Sequence, residues 1–133
     1  MTITPPALHA QGLATSLADL AATLELRGIT VDVDAADVHV PEAVESLVYR
    51  TAQEAVRNVV RHAGATHVRM TLANGPLTLT VADDGRGLDE TDSPRSRGSV
   101  GLELLTQLAQ QQGGTLTVTS APGEGTTLRL EVP

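Results

Sequence analysis

Leucines at 13, 17, 20 and 24 stand four, three and four residues apart, the spacing that lines up one stripe of an α-helix. Gly28 predicts its stop. Residues 1–11, with Pro5-Pro6 and little pattern, read as a linker stub ahead of it. Ile29, Val31 and Val33 then alternate with Thr30, Asp32 and Asp34, which predicts a short strand with one wet face. Pro41 suits the first turn of a second helix, running to about Ala63 with Gly64 as its cap. Val68, Met70 and Leu72, then Leu77, Leu79 and Val81, alternate with polar residues on either side of Asn74-Gly75, a hairpin signal. Residues 83–100 are polar and rich in Gly, Asp, Ser and Arg; a loop this long inside a compact domain is usually a lid or a binding loop. Leu102, Leu105, Leu108 and Ala109 predict a third helix, ended by Gly113-Gly114. Leu116 and Val118, then Leu128, Leu130 and Val132, predict a last strand pair around Ala121-Pro122-Gly123-Glu124-Gly125.

The predicted strands are apolar on one face and carry Thr, Arg and Glu on the other. Such a sheet is covered on one side only and is largely antiparallel. The expected fold is a two-layer α/β sandwich: a mixed sheet of about five strands covered on one face by three helices.

Composition narrows the function. The chain has 133 residues and a formal net charge of −7, and all nine of its Lys and Arg residues are arginines. An acidic chain without basic runs is a poor nucleic-acid binder. Without lysine there is no P-loop, whose phosphate grip needs Gly-Lys-Ser/Thr. With no cysteine there is no disulfide scaffold, thiolate metal site or cysteine nucleophile. Tyr49 is the sole aromatic residue, which argues against base-stacking RNA modules. No apolar run is long enough to span a bilayer and no signal-peptide pattern is present, so a cytoplasmic location without direct membrane contact is expected.

The second helix carries an anomaly. At about 100° per residue, with Glu54 at zero, Val44, Leu47, Val48, Ala55 and Val59 fall between about 20° and 140°. Asn58 falls near 40° and His62 near 80°, in the same stripe as the apolar residues. Buried polar groups are costly unless partnered, so either the helix edge is solvated or it lines a polar cleft. Glu and Asn can bind a hydrated divalent cation through oxygen. Three further places are suggestive. Asp83 ends a strand, and Gly85 and Gly87 after it allow backbone to pass close to a ligand. Gly98 and Gly101 precede Leu102 at a helix start, where free N–H groups attract phosphate. Gly125-Thr126-Thr127 follows the last turn. Each is also compatible with a plain turn or a flexible helix entry.

Taken in order, these segments resemble a known family. Gln53-Glu54-Ala55-Val56-Arg57-Asn58-Val59-Val60-Arg61-His62-Ala63 is similar to the N box of the ATP-binding domain of bacterial sensor histidine kinases. Asp83-Asp84-Gly85-Arg86-Gly87 resembles their first glycine box, Gly98 to Leu102 the second, and Gly125-Thr126-Thr127 the last. The wider group, the GHKL ATPases, includes gyrase-type topoisomerases and heat-shock chaperones. The form with His62 and a short lid is most similar to the nitrate-sensor and desaturase-sensor subfamily.

The resemblance implies a Bergerat-type fold over residues 12–133, with a lid at about 86–100. It implies ATP and Mg²⁺ as cofactors. Glu54 and His62 would be catalytic: Glu54 beside the metal, His62 near the phosphates. Asn58 would hold Mg²⁺. Asp83 would accept the adenine amine, and Thr126 would share a water-bridged contact beneath the base. Gly85 and Gly87 would shape the lid's start; Gly98, Gly101 and Leu102 would serve the phosphates. The second glycine box lacks its commoner middle glycine, and without phenylalanine there is no phenylalanine box. None of the histidines is flanked as a phosphoacceptor should be. The implied partners are therefore the nucleotide, a dimerisation and phosphoacceptor hairpin ahead of residue 12, and indirectly a response regulator. By itself the chain is expected not to phosphorylate itself. A stand-alone anti-sigma-factor serine kinase and a non-catalytic nucleotide sensor remain open as alternatives.

Overall fold

The computed structural model describes residues 6–36, 38–62, 64–85, 100–120 and 123–133, with side chains described in these except at 6–11, 62, 100 and 101. Their order is α1 (Pro6–Glu25), β1 (Thr30–Ala35), α2 (Glu42–His62), β2 (His67–Ala73), β3 (Leu77–Asp83), α3 (Val100–Gln111), β4 (Thr115–Ser120) and β5 (Thr126–Val132). The strands form one sheet in the order β1-β2-β3-β5-β4. β1 runs parallel to β2, and the other three pairings are antiparallel. This is the expected mixed sandwich. All three helices pack on the same face of the sheet, α1 against β1, α2 against β3 and β5, and α3 against β4 and β5.

Local chemistry sets the ends of the elements. α1 closes with Gly28 at φ 83° and the Ile29 N–H donating to the Leu24 carbonyl at 3.2 Å. That bond, spanning five residues past a left-handed glycine, satisfies an orphan carbonyl of the last turn. α3 ends the same way, with Gly113 at φ 75° and the Gly114 N–H on the Ala109 carbonyl at 2.8 Å. The Pro41 carbonyl accepts the Glu45 N–H at 3.0 Å, so this proline sits just outside α2 and caps it instead of occupying its first turn. Gly75, at φ 70°, turns the β2–β3 hairpin as expected.

Two elements depart from the sequence reading. Pro6 to Gln11, expected as a linker stub, are helical in backbone; Gly12, at φ 85° and ψ 175°, breaks the helix there. The inner face of β1 is only partly dry: Val31 is half-buried and Val33 is exposed, because β1 is an edge strand with a neighbour on one side only.

The core lies between the layers. Leu17 and Leu24 of α1, Leu47, Val48 and Ala52 of α2, and Val68, Met70, Leu79 and Leu130 of the sheet are fully buried. Burying a leucine, valine or methionine of this set contributes about 1.5–3 kcal/mol. The strand register stacks these residues in rows across the sheet. Val33, Met70, Val81, Leu128 and Val118 form one row; Ala35, Leu72, Leu79, Leu130 and Leu116 form the next.

Candidate functional site

One further row follows at the end of the sheet where β3 finishes. The same register continues it as Val31, Val68, Asp83, Thr126 and Ser120. Cross-strand partners project from the same face. The helix-facing side therefore ends in an acid and two hydroxyls where the rows behind it are aliphatic. Asp83 is the last residue of β3, Thr126 the first of β5 and Ser120 the last of β4.

The topology brings other elements to this end. Residues 63–66 join the C-terminus of α2 to His67, next to Val68, the partner of Asp83. The C-terminal half of α2, with Glu54 and Asn58, thus lies toward this row, and both side chains are half-buried at the edge of the apolar stripe. α3 leads through Gly113-Gly114 into the far end of β4, so its N-terminus also lies near this row. Leu102, in its first turn, is half-buried, and the backbone of Gly101 lies in the same turn. Gly87, Gly98, most of the expected lid and the side chain of His62 lie outside the described residues.

Asp83 is held by two main-chain donors. The Gly85 N–H reaches its Oδ1 at 2.9 Å, and the Thr126 N–H also bonds the carboxylate. Burial nonetheless pushes its pKa up, and the adjacent Asp84 charge adds to the rise against those two donors. A carboxylate has about four lone-pair sites, so Asp83 retains acceptor capacity for a ligand donor.

Asp84, one residue on, has the opposite phase and a different task. Its Oδ1 accepts the N–H groups of Thr66 at 2.8 Å and His67 at 2.9 Å, and its Oδ2 accepts the Thr66 hydroxyl at 2.8 Å. These bonds, the Thr66 hydroxyl foremost, hold its pKa down at about 2. They pin the start of β2 to the chain leaving β3, directly behind Asp83.

Gly125 closes the site on the other side. A Cβ there would overlap the Asp83 carbonyl and crowd the Asp84 Cα, and its φ is 78°. Glycine is thus required for the β4–β5 connection to lie against the Asp83-Asp84 backbone. Ser120 Oγ sits 2.9 Å from Thr126 Oγ1 and 3.1 Å from the Gly125 carbonyl oxygen.

Asp84 and Ser120 were not singled out as site residues from the sequence. For Ser120 the signal was present. Leu116 and Val118 share its phase in β4, so a serine two residues further on falls on the inner face. His67 lies on the outer side of the sheet, where its Nε2 meets Asp32 Oδ2 at 2.8 Å. Among the described residues no three His, Cys, Asp or Glu side chains form a metal cage. Asn58 carries an amide oxygen, a donor type that a hydrated divalent cation takes.

Residues 43–133 match the family described as histidine kinase-, DNA gyrase B- and HSP90-like ATPase. Sensor histidine kinase LiaS of Bacillus subtilis is 33% identical over 97% of the chain, which spans 36% of that protein. Signal transduction histidine-protein kinase/phosphatase DegS of Brevibacillus brevis is 33% identical over 70% of the chain and 24% of its own length. The chain thus spans about a quarter to a third of these curated relatives. The histidine kinase domain of a blue-light activated histidine kinase from Erythrobacter litoralis superposes with a TM-score of 0.76 at 29% identity, over 91% of this chain and 60% of that one.

Proposed function

Because this chain belongs to the histidine kinase-, DNA gyrase B- and HSP90-like ATPases, we infer that it binds Mg-ATP and serves as the phosphoryl-donating domain of a two-component sensor kinase. The acceptor is a histidine on a dimerisation hairpin, and a response regulator lies downstream. The observation that carries this reading is Asp83: a half-buried carboxylate at the end of the inner sheet face, fixed by the N–H groups of Gly85 and Thr126.

Its oxygens can accept the exocyclic amine of adenine. Asn58 offers an amide oxygen to a divalent cation and Glu54 a carboxylate beside it. The N-terminus of α3 supplies main-chain N–H groups and the positive end of a helix dipole, which favour phosphate. The bound cofactor supplies the transferable phosphoryl group. Such a transfer needs positioning and charge neutralisation more than a protein nucleophile, which fits this set of side chains.

Calorimetric titration with ATP and GTP tests the reading. ATP is expected to bind in preference, because guanine places a carbonyl oxygen where the amine would sit. Asp83→Asn should weaken ATP binding by about 10- to 100-fold, the worth of a hydrogen bond to a charged group. Equal affinity for ATP and GTP would sink the assignment. Radiolabel from γ-labelled ATP should then appear, acid-labile, on a histidine-bearing dimerisation hairpin supplied in trans. Transfer to serine on an antagonist protein instead would point to the anti-sigma kinases.

A further inference from the structure

The chain that leaves β3 is anchored more firmly than a strand end requires. The last ladder pair of the β2–β3 hairpin is Val68 and Asp83. One residue beyond it, the Asp84 N–H donates to the His67 carbonyl at 3.2 Å. The Asp84 carboxylate in turn accepts the His67 N–H at 2.9 Å, the Thr66 N–H at 2.8 Å and the Thr66 hydroxyl at 2.8 Å. With its pKa held at about 2, this carboxylate is ionised at neutral pH and serves as an acceptor only. Thr66 is itself tied down, because its carbonyl accepts the Thr30 N–H at the start of β1 at 2.9 Å. On the opposite flank, a Cβ on Gly125 would stand 3.3 Å from the Asp84 Cα. Asp84 is thus gripped from both sides, although its own side chain is exposed.

What this grip holds still is a turn. The Gly85 N–H reaches back to Asp83 Oδ1 at 2.9 Å. An aspartate that accepts from the N–H two residues on closes an Asx turn, and Asp84 is the middle residue of this one. The Gly85 N–H lies in the peptide plane that joins Asp84 to Gly85, so fixing Asp84 aims this donor. We propose that Asp84 is a positioning residue for nucleotide binding: held by Thr66 and His67, it fixes the turn whose Gly85 N–H selects the rotamer of the Asp83 carboxylate. This deepens the ATP-binding reading and rests on it. Asp84 has the outward phase and acts on the ligand only through Asp83. An aspartate side chain has three staggered wells at its first torsion. Two main-chain donors, Gly85 and Thr126, hold Asp83 in one of them. Without the Gly85 donor, the Thr126 N–H is left as a single tether. A ligand that needs one well binds more weakly in proportion to how far that well is depopulated.

The test has two readouts: ADP affinity by calorimetry, and the Asp83 rotamer from NMR three-bond couplings in the nucleotide-free protein. A change in overall stability alone does not move the couplings of the folded state. Wild type should show one staggered rotamer. Asp84→Ala should show averaged couplings and bind ADP about two- to threefold more weakly, the limit being one usable well in three. Asp84→Asn keeps an oxygen for the two N–H groups and turns an amide N–H to the Thr66 hydroxyl, so it should preserve both rotamer and affinity although it gives up the charge. Thr66→Val removes only an exposed hydroxyl and should move both readouts in the direction of Asp84→Ala; it decides the matter if Asp84→Ala does not fold. A wild-type protein that binds no ADP overturns the ATP-binding reading itself. ADP binding with a single Asp83 rotamer retained in Asp84→Ala, or in Thr66→Val where the former does not fold, overturns the role of Asp84 alone. Averaged couplings with unchanged affinity do the same, as do averaged couplings in wild type and an Asp84→Asn protein that behaves like Asp84→Ala.

Discussion

Burial pushes the Asp83 carboxyl up, whereas the Thr66 hydroxyl and the N–H groups of His67 and Thr66 hold the next carboxyl, Asp84, at about 2. Their contributions to stability therefore have opposite signs. Asp84, depressed on folding, stabilises the fold above the ordinary value of 3.8, and that contribution is lost as the pH falls toward 2. Asp83, raised on folding, binds its proton more tightly when folded, so its ionisation detracts from stability above its raised pKa. Urea denaturation across a pH series checks the first statement. Asp84→Asn should have a lower midpoint than wild type at pH 7, and the gap should close as the pH approaches 2; a gap that persists there would show that the carboxylate charge is not its source. The same acidification should weaken nucleotide binding by wild type as Asp83 takes up a proton. Strand alternation in the sequence already separates the two acids. Asp83 shares the inward phase of Leu77, Leu79 and Val81, and Asp84 does not. That Asp84 grips Thr66 and His67 is a contact between segments far apart in sequence, which no local pattern records.

The turn from β4 to β5 and the C-terminal half of α2 are the elements through which the site is most exposed to substitution. Gly123 and Gly125 both have a φ of 78°, but only a Cβ on Gly125 meets backbone. Gly123→Ala should cost about 1–2 kcal/mol for the left-handed conformation alone. Gly125→Ala adds overlap with the Asp83 carbonyl, typically another 1–3 kcal/mol of overpacking, and should displace Asp83. Thermal unfolding of the two variants checks the order; equal losses would mean that the turn yields freely. On α2, Asn58→Ala should reduce the Mg²⁺ enhancement of ADP binding while leaving magnesium-free affinity nearly intact, since the amide offers the base nothing. Full enhancement in the variant, by calorimetry with and without Mg²⁺, would remove Asn58 as a ligand. Element positions follow closely from hydrophobic period because each packs one face on a single core. The exceptions have local causes: Pro5-Pro6 hides the helical backbone of Pro6 to Gln11, and the half-exposed valines of β1 follow from an edge position that alternation cannot reveal. Its parallel pairing with β2 is likewise invisible in the strand's own residues.

Across the chain as a whole, the two hairpins β2–β3 and β4–β5 meet along the β3·β5 pairing, which joins residues distant in sequence. The sandwich was readable from sequence because every strand has one apolar face and three helical stripes are available to cover it. Which hairpin lies beside which was not, because it is decided by how all the aliphatic rows fit under the helices at once. Asp83 belongs to the first hairpin, Thr126 and Ser120 to the second. Neither hairpin alone contains the proposed nucleobase site, whose acid and hydroxyls come together only when the two dock. That division has a kinetic consequence. Local hairpins close in microseconds, whereas pairing of distant strands is the slower event. A ligand that recognises only the docked row has little to hold in a transition state where docking is incomplete, so it should retard unfolding without hastening refolding. In a urea chevron, saturating ADP is expected to lower the unfolding limb and leave the refolding limb in place. A refolding limb that rises with ADP would mean that the two hairpins have already met, with Asp83 beside Thr126, before the rate-limiting barrier is crossed.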